Sequence, residues 1–150
     1  MKKYILALFV FMIISACNGS TNYKKMEIMG PSMEPTFKDG QIVKVDTDYY
    51  NQHEVERNEL VCFYTDQKNK MYVKRVVGLP NEKIKVMKDR ILINDVPIDL
   101  PVKMVDNSRV GEYKTGADDF FIIGDNYNDS LDSRTIGTIR KEQIVGKVID

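Results

Sequence analysis

The sequence contains no tryptophan, a single histidine (His53) and only two cysteines, Cys17 and Cys62. These residues are too few to supply the three or four ligands of a usual His/Cys zinc site. His53 lies in a polar stretch, residues 51–57, which is typical of a surface loop, so a Ser-His-Asp triad is disfavoured. The sequence therefore predicts chemistry that uses neither histidine nor a transition metal, and we expect no cofactor.

The sequence also lacks an excess of charge of either sign. Its 22 basic residues are balanced by 22 acidic residues. Because binding to phosphate backbones requires a basic surplus, this balance argues against a nucleic-acid partner. A length of 150 residues with 43% hydrophobic content is sufficient for one domain with a substantial core.

No apolar run is long enough for a typical transmembrane helix. Lys2 and Lys3 precede an uncharged segment, residues 4–17, that would span about 21 Å as a helix, whereas a bilayer core is roughly 30 Å thick. A basic start, a short apolar run and small residues at its end are typical of an export signal. We therefore expect residues 1–16 to be such a signal.

The end of this signal resembles a bacterial lipobox, in which the cysteine is acylated and becomes the first residue of the mature protein. The matching residues are Ile14, Ser15, Ala16 and Cys17. We expect a lipidated Cys17, a tether over residues 17–25 and one folded domain over residues 26–150. Cys62 would then be the only free thiol, which excludes an intramolecular disulfide. An uncleaved N-terminal anchor and a plain cleaved signal are the alternatives.

Beyond residue 26, the apolar residues form short runs that are separated by turn-forming residues. Runs rich in Val, Ile, Tyr and Phe predict strands at residues 41–45, 59–64, 71–77, 83–87, 90–93, 119–123 and 143–149. Tight turns at residues 88–89 and 94–95 predict a meander over residues 83–99. The expected fold is mainly β, with short antiparallel strands that form a sandwich or distorted barrel.

The first candidate functional motif, residues 30–36, has a serine between two prolines. Pro31 and Pro35 restrict the loop, so Ser32 can direct its hydroxyl at one point, as a nucleophile must. Gly30 permits close approach of a substrate, and the Ser32 amide could donate to an oxyanion. The alternative is a structural Pro-rich turn.

The second motif, residues 71–80, places a lysine in an apolar strand. Side chains alternate along a strand, so Lys74 shares a face with Tyr72 and Val76. Desolvation would lower its pKa, and a fall of roughly three units, about 4 kcal/mol, would make the amine a base near neutral pH. The alternative is an edge-strand lysine whose ammonium group reaches solvent.

The third motif, residues 124–134, is rich in aspartate. An EF-hand frame fails here because Ser130 stands where glycine is needed and Ile136 where glutamate is needed. Asp132 and Arg134 are two residues apart and can form a pair. Ser130 is well placed to hydrogen-bond a neighbouring amine.

In this order, the three motifs closely resemble those of type I signal peptidases, Ser-Lys serine proteases that remove signal peptides from exported proteins. The resemblance covers residues 26–148 and rests on residues 32–36, 72–80, 124–126 and 130–134. It implies that Ser32 is the nucleophile and Lys74 the general base. It further implies that Ser130 orients Lys74, and that Asp132 and Arg134 brace the site.

The resemblance also implies that the Ser32 amide and a group at Gly30 hold the oxyanion, although many relatives have serine at position 30. Two further departures are Asn81-Glu82 in place of Gly-Asp, and Tyr127 where arginine is frequent. Asparagine tolerates left-handed backbone angles, so we expect the turn at Asn81 to be retained. The lipobox-like start is the largest departure, because the family typically keeps an N-terminal transmembrane helix.

The implied substrates are exported preproteins, cut after small residues at positions −1 and −3 on the outer side of a bacterial membrane. We expect the pockets to be formed by Ile28, Met29, Met33, Tyr72 and Val73. Met29 and Met33 would form an apolar rim toward the membrane if exposed, or belong to the core. We expect a monomer.

Two other functions account for part of the sequence. A self-cleaving protease of the SOS-repressor type would need an Ala-Gly-like site ahead of the serine, and residues 18–30 contain none. A non-catalytic β-fold envelope lipoprotein would account for the anchor but leave the three ordered motifs unexplained.

Overall fold

Short β-strands are the dominant regular secondary structure in the described part of the chain. The computed structural model describes residues 22–65, 70–102, 104 and 109–149. The strands are β1 (Tyr23–Glu27), β2 (Ile42–Asp46), β3 (Leu60–Tyr64), β4 (Met71–Gly78), β5 (Lys83–Val86), β6 (Ile91–Ile93), β7 (Val96–Ile98), β8 (Gly111–Lys114), β9 (Asp119–Ile123), β10 (Ile139–Arg140) and β11 (Ile144–Ile149). One short helix, α1 (Ser133–Ile136), and two 3₁₀ turns, Tyr49–Asn51 and Lys141–Gln143, complete the set.

The strands form two antiparallel sheets. The larger has the order β1-β2-β11-β3-β4-β9-β10, and the smaller has the order β7-β6-β5-β8. All pairs of neighbouring strands are antiparallel. The predicted mainly-β fold of short antiparallel strands is confirmed.

The predicted strands are all present, with bounds that differ by no more than one residue. The meander is β5-β6-β7, and its second turn has positive φ at both Asn94 and Asp95, as a two-residue hairpin requires. Asn81 also has a positive φ of 62°, which confirms the expectation for that turn. β1, β8, β10 and α1 were not predicted.

The first described strand begins inside the segment that we assigned to a tether. Tyr23 pairs with Asp46 and Lys25 with Lys44, so β1 is the edge strand of the larger sheet. Residues 1–21, which include the predicted export signal and Cys17, lie outside the described residues. Among the helices of the described part, none has the length and hydropathy needed to cross a membrane.

The core joins the serine motif to the larger sheet. Met33, which is 1% exposed, packs with Phe37 in a cluster that also contains Val43, Cys62 and Val73. Met33 therefore belongs to the core and not to an exposed rim. Packing the residue next to Ser32 against β4 fixes the loop relative to the strand that carries Lys74.

Candidate active site

The serine loop, residues 30–36, is held by hydrogen bonds to the backbone atoms of Gly30, Pro31 and Ser32. Gly30 has φ +81°, and its amide donates to Asp39 Oδ1 over 2.7 Å. On the other side, the Asn126 amide donates to Ser32 O (3.1 Å) and the Asn126 side chain donates to Pro31 O (3.2 Å). The first and third motifs are thus in direct contact around Ser32.

Lys74 and Ser32 are brought together although they are 42 residues apart. Lys74 Nζ donates to Ser32 Oγ at 2.7 Å and to the Val73 carbonyl at 3.0 Å. Lys74 is only 2% exposed, whereas Ser32 is half-buried and open to the surface. A hydroxyl within reach of a dry amine is the arrangement that nucleophilic catalysis by serine requires.

Burial favours the neutral form of the Lys74 amine, which is the form that can act as a base. Desolvation lowers the pKa of Lys74 to about 8, against the opposing influence of the nearby Asp132 and Asp125 carboxylates. At pH 7.5, about a quarter of such amines are neutral, compared with about one in a thousand for an ordinary lysine. The pKa reduction expected from an apolar strand environment is therefore present.

Asp132 organises the loop after β9. Its carboxylate accepts hydrogen bonds from the Gly124 amide (3.0 Å) and from Arg134 Nε (2.8 Å) and Nη2 (2.6 Å). It also caps α1 by accepting from the Arg134 amide. Both side chains are fully buried, which confirms the predicted ion pair between Asp132 and Arg134.

Ser130 lies beside the serine loop, but its hydroxyl is unpaired. Ser130 is 3% exposed, and its Oγ has no hydrogen-bond partner among the described residues. A Cβ placed on Gly124 would meet both Ser130 Oγ and Ser32 O, so these two atoms are close neighbours. The predicted hydrogen bond from Ser130 to Lys74 is not formed here, and its orienting role stays a prediction.

One of the two predicted oxyanion donors, the Gly30 amide, already has a hydrogen-bond partner. The Gly30 amide is already used in the hydrogen bond to Asp39, so it is not free to bind an oxyanion in this structure. Gly30 nevertheless has open space around its α-carbon, which a substrate backbone can approach. The assignment of Ser32 and Gly30 to an oxyanion site stays a prediction.

One element of the site was missed from the sequence, the ion pair between Arg75 and Asp125. Arg75 Nε lies 2.8 Å from Asp125 Oδ1, and Nη2 lies 2.6 Å from Oδ2. Thr36 of the serine motif also donates to Asp125 Oδ2. One signal in the sequence could have indicated this pair. Arg75 is a charged residue in an apolar strand, so it needs a counter-charge if it is buried, and Asp125 of the third motif is a candidate partner.

A groove runs beside the serine loop, between the end of β1 and the start of β4. It has a volume of about 560 Å³, and all five residues expected to form pockets line it: Ile28, Met29, Met33, Tyr72 and Val73. Met29 is 86% exposed at its rim. Residues 71–74 of β4 pair with β3 on one side. β9 pairs with β4 only from Arg75 onward, so the other edge of β4 at residues 71–74 has no strand partner in the described chain.

The β scaffold, the serine held in a fixed loop and the adjoining groove are features expected of a serine endopeptidase. Residues 1–149 match the family described as "Signal peptidase, peptidase S26". The chain is 32% identical to signal peptidase IB of Staphylococcus aureus over 165 residues, covering 97% of this chain and 86% of that protein. It is also 32% identical to signal peptidase I of Bacillus caldolyticus over 136 residues, covering 81% and 74% respectively.

The fold agrees with these relationships. A crystal structure of a signal peptidase I from Enterococcus faecalis superposes with a TM-score of 0.57 at 20% identity, covering 63% of this chain and 97% of that one. The chain belongs to the signal peptidase family, peptidase S26. It is a serine endopeptidase of the type that cleaves signal peptides from preproteins, so the family expected from the three motifs is confirmed.

Proposed function

We propose that the chain cleaves signal peptides with a Ser-Lys dyad, in which Ser32 is the nucleophile and Lys74 the general base. The observation that carries this proposal is the 2.7 Å contact between Lys74 Nζ and Ser32 Oγ, made by an amine that is only 2% exposed. A pKa of about 8 leaves part of this amine neutral at physiological pH. No histidine is needed.

The reaction follows from this pair. Neutral Lys74 accepts the Ser32 proton while Oγ attacks the scissile carbonyl carbon, and the resulting ammonium gives the proton to the departing amine. An ester between Ser32 and the signal peptide remains. Lys74 then accepts a proton from water as the water attacks the carbonyl carbon of this ester, and it gives that proton to the departing Ser32 Oγ. The signal peptide leaves with a new carboxyl group, and both the serine hydroxyl and the neutral amine are restored.

Substrate specificity follows from the groove. We expect the residues before the scissile bond to lie extended against the free edge of β4 and pair through main-chain hydrogen bonds. Alternate side chains of an extended peptide point the same way, so positions −1 and −3 face the same wall. We expect that wall to be formed by Ile28, Met33 and Val73, which are buried residues of the groove lining, and to receive the small side chains at these two positions.

The location of the enzyme belongs to the same proposal. Preproteins present their cleavage sites on the outer face of the bacterial membrane, and we propose that lipidated Cys17 holds the enzyme there. The 86% exposure of Met29 at the groove rim supports an orientation toward lipid. An uncleaved N-terminal helix is the alternative anchor.

The test is cleavage of a peptide with an Ala-x-Ala site. We expect Ser32→Ala and Lys74→Met each to lower kcat/KM by about a thousandfold or more, because each removes one member of a concerted pair. Lys44→Met, at an exposed lysine of β2, is the matched control and should cleave normally. Robust activity in either dyad variant would refute the mechanism.

A further inference from the structure

Methionine is concentrated in the groove beside the serine loop. Six methionines follow the predicted export signal, and four of them line this groove: Met26, Met29, Met33 and Met71. Of the other two, Met87 follows β5 and Met104 packs in the core cluster beneath the smaller sheet. The thioether groups of the described chain are therefore gathered where we propose that the substrate binds.

The four thioethers of the groove differ in their access to solvent. Met29 is 86% exposed and Met71 is 40% exposed, whereas Met33 is 1% exposed and Met26 is partly buried. Met29 lies just beyond the end of β1, and Met71 is the first residue of β4, so the two exposed methionines lie on the two sides of the groove. Solvent thus reaches sulfur at the rim of the groove and is kept from sulfur in the core behind it.

The neighbouring thiol does not compete with these thioethers for oxidants. Cys62 is 1% exposed, and its Sγ donates to Met26 Sδ over 3.5 Å. Burial raises the pKa of Cys62 to about 12, so the thiol stays protonated at neutral pH. Oxidants attack the thiolate form of cysteine, whereas a thioether has no proton to lose and needs only access. The exposed methionines are therefore the sulfur groups that react first.

We propose that Met29 and Met71 form a reversible oxidation site, and that peroxides lower signal-peptide cleavage by converting these two side chains to sulfoxides. The inference rests on the proposed function, since it takes the groove to hold the signal peptide. In the reaction, the sulfur lone pair attacks one peroxide oxygen, and an S–O bond forms as the O–O bond breaks. The proton on the transferred oxygen passes to the departing hydroxide, which leaves as water. The sulfur loses two electrons and the peroxide gains them.

This oxidation changes substrate binding more than the chemical step. A sulfoxide is polar, so it is a poor contact for the apolar residues of a signal peptide. Ser32 and Lys74 contain no sulfur, so the oxidant does not act on their 2.7 Å contact. We therefore expect KM to rise and kcat/KM to fall about tenfold, the scale of one lost apolar contact, with kcat nearly unchanged.

The experiment treats the full chain with hydrogen peroxide and compares each enzyme with its own untreated sample. Mass spectrometry of proteolytic fragments locates the added oxygen, and cleavage of an Ala-x-Ala peptide gives kcat and KM. We expect oxygen on Met29 and Met71 before Met33, together with the rise in KM. Methionine sulfoxide reductases reverse the modification, so treatment with them should restore the initial KM.

Leucine variants identify which methionines are responsible, because leucine is apolar and similar in volume but contains no sulfur. The double variant Met29→Leu/Met71→Leu should keep its own untreated kcat/KM within about twofold after peroxide. Met87→Leu is the matched control, since Met87 is 37% exposed but is not among the residues that line the groove. This control should lose about tenfold in kcat/KM, as the unmodified enzyme does.

Each other outcome has a definite meaning. Full oxidation of Met29 and Met71 without a change in kcat/KM overturns the oxidation proposal while leaving the proposed function intact. Oxidation of Met33 ahead of these two also overturns it, as does an equal loss in the double leucine variant. If the untreated enzyme cleaves no peptide, the proposed function fails instead. Binding of the same peptide to Ser32→Ala before and after peroxide then decides the oxidation site, since about tenfold weaker binding supports it and equal binding overturns it.

Discussion

Arg75 and Asp125 form a buried ion pair with two contacts at the base of the serine loop. The distances are 2.8 Å and 2.6 Å, and the two side chains are 8% and 1% exposed. Asp125 also accepts a hydrogen bond from Thr36, and the next residue, Asn126, binds the Ser32 carbonyl. The pair thus connects all three motifs of the site.

Breaking this pair should destabilise the protein and reduce activity together. Asp125→Asn leaves the Arg75 cation buried without its counter-charge, which typically costs about 3–5 kcal/mol. We expect a large fall in the free energy of unfolding, measured by urea denaturation, and a fall in kcat. The exposed pair Asp89–Arg90 offers the control, because Asp89→Asn should leave Tm unchanged. Equal stability of the two variants would show that the buried pair contributes little.

The pH dependence of cleavage should report the Lys74 amine. Because only the neutral amine accepts a proton, kcat/KM should rise about tenfold per pH unit below the Lys74 pKa and level off above about 8. The carboxylate of Asp132 raises that pKa, so Asp132→Asn should move the midpoint to lower pH. Initial rates at low substrate concentration between pH 5 and 10 measure both, and a flat profile would argue against Lys74 as the base.

The buried Lys74 amine should lower the free energy of unfolding at neutral pH. The pKa of Lys74 is lower in the folded chain (about 8) than the ordinary value of 10.5, so the unfolded chain binds more protons between these pH values, and this group makes stability rise with pH across that window. Below pH 8, burial of the Lys74 ammonium group lowers the free energy of unfolding by roughly 3 kcal/mol. Lys74→Met should therefore raise Tm at pH 7 relative to the unmodified protein, and the advantage should shrink toward pH 10.5. A variant that is less stable at pH 7 would contradict this.

Gly124 should tolerate no side chain. A Cβ there would lie 2.5 Å from Ser32 O and would also meet Ser130 Oγ, and the first of these atoms is backbone that cannot rotate away. We expect Gly124→Ala to displace the serine loop and lower kcat at least about a hundredfold, since misplacement by about 1 Å has such effects. Activity within twofold of the unmodified enzyme would show that the loop can adjust.

The proposed lipid anchor at Cys17 predicts a response to globomycin, which blocks removal of lipoprotein signals. Cells treated with it should accumulate the full-length precursor, seen as slower migration on a gel. Cys17→Ala is the matched control, because its mobility should be the same with and without the compound. Unchanged mobility of the unmodified chain would exclude the lipoprotein route and leave an uncleaved anchor or a plain cleaved signal.

The sequence was most informative where structure depends on neighbours along the chain. The alternation in β4 placed Lys74 correctly, because side-chain direction in a strand is a local property. The Asp132–Arg134 pair was found for the same reason. The Arg75–Asp125 pair spans 50 residues and could be found only after β4 and β9 were seen to be neighbours.

Two further features lay beyond local patterns. β1 has a mostly exposed, lysine-rich sequence that pairs through its backbone, so it carries no hydrophobic alternation by which to recognise it. Ser130 was predicted to contact Lys74, and the structure instead leaves its hydroxyl unpaired beside Gly124. Whether a serine hydroxyl contacts a nearby amine depends on the rotamer of the serine side chain, and residue spacing in the sequence does not predict that rotamer.

If Cys17 carries the proposed lipid, the position of β1 in the chain limits where the enzyme can work. Six residue steps separate Cys17 from Tyr23, and a fully extended chain covers at most about 3.5 Å per step, or roughly 21 Å. With lipid on Cys17, the catalytic face would be restricted to a thin layer above the bilayer. Preproteins that present their junction farther from the lipid surface would escape processing, however suitable their side chains.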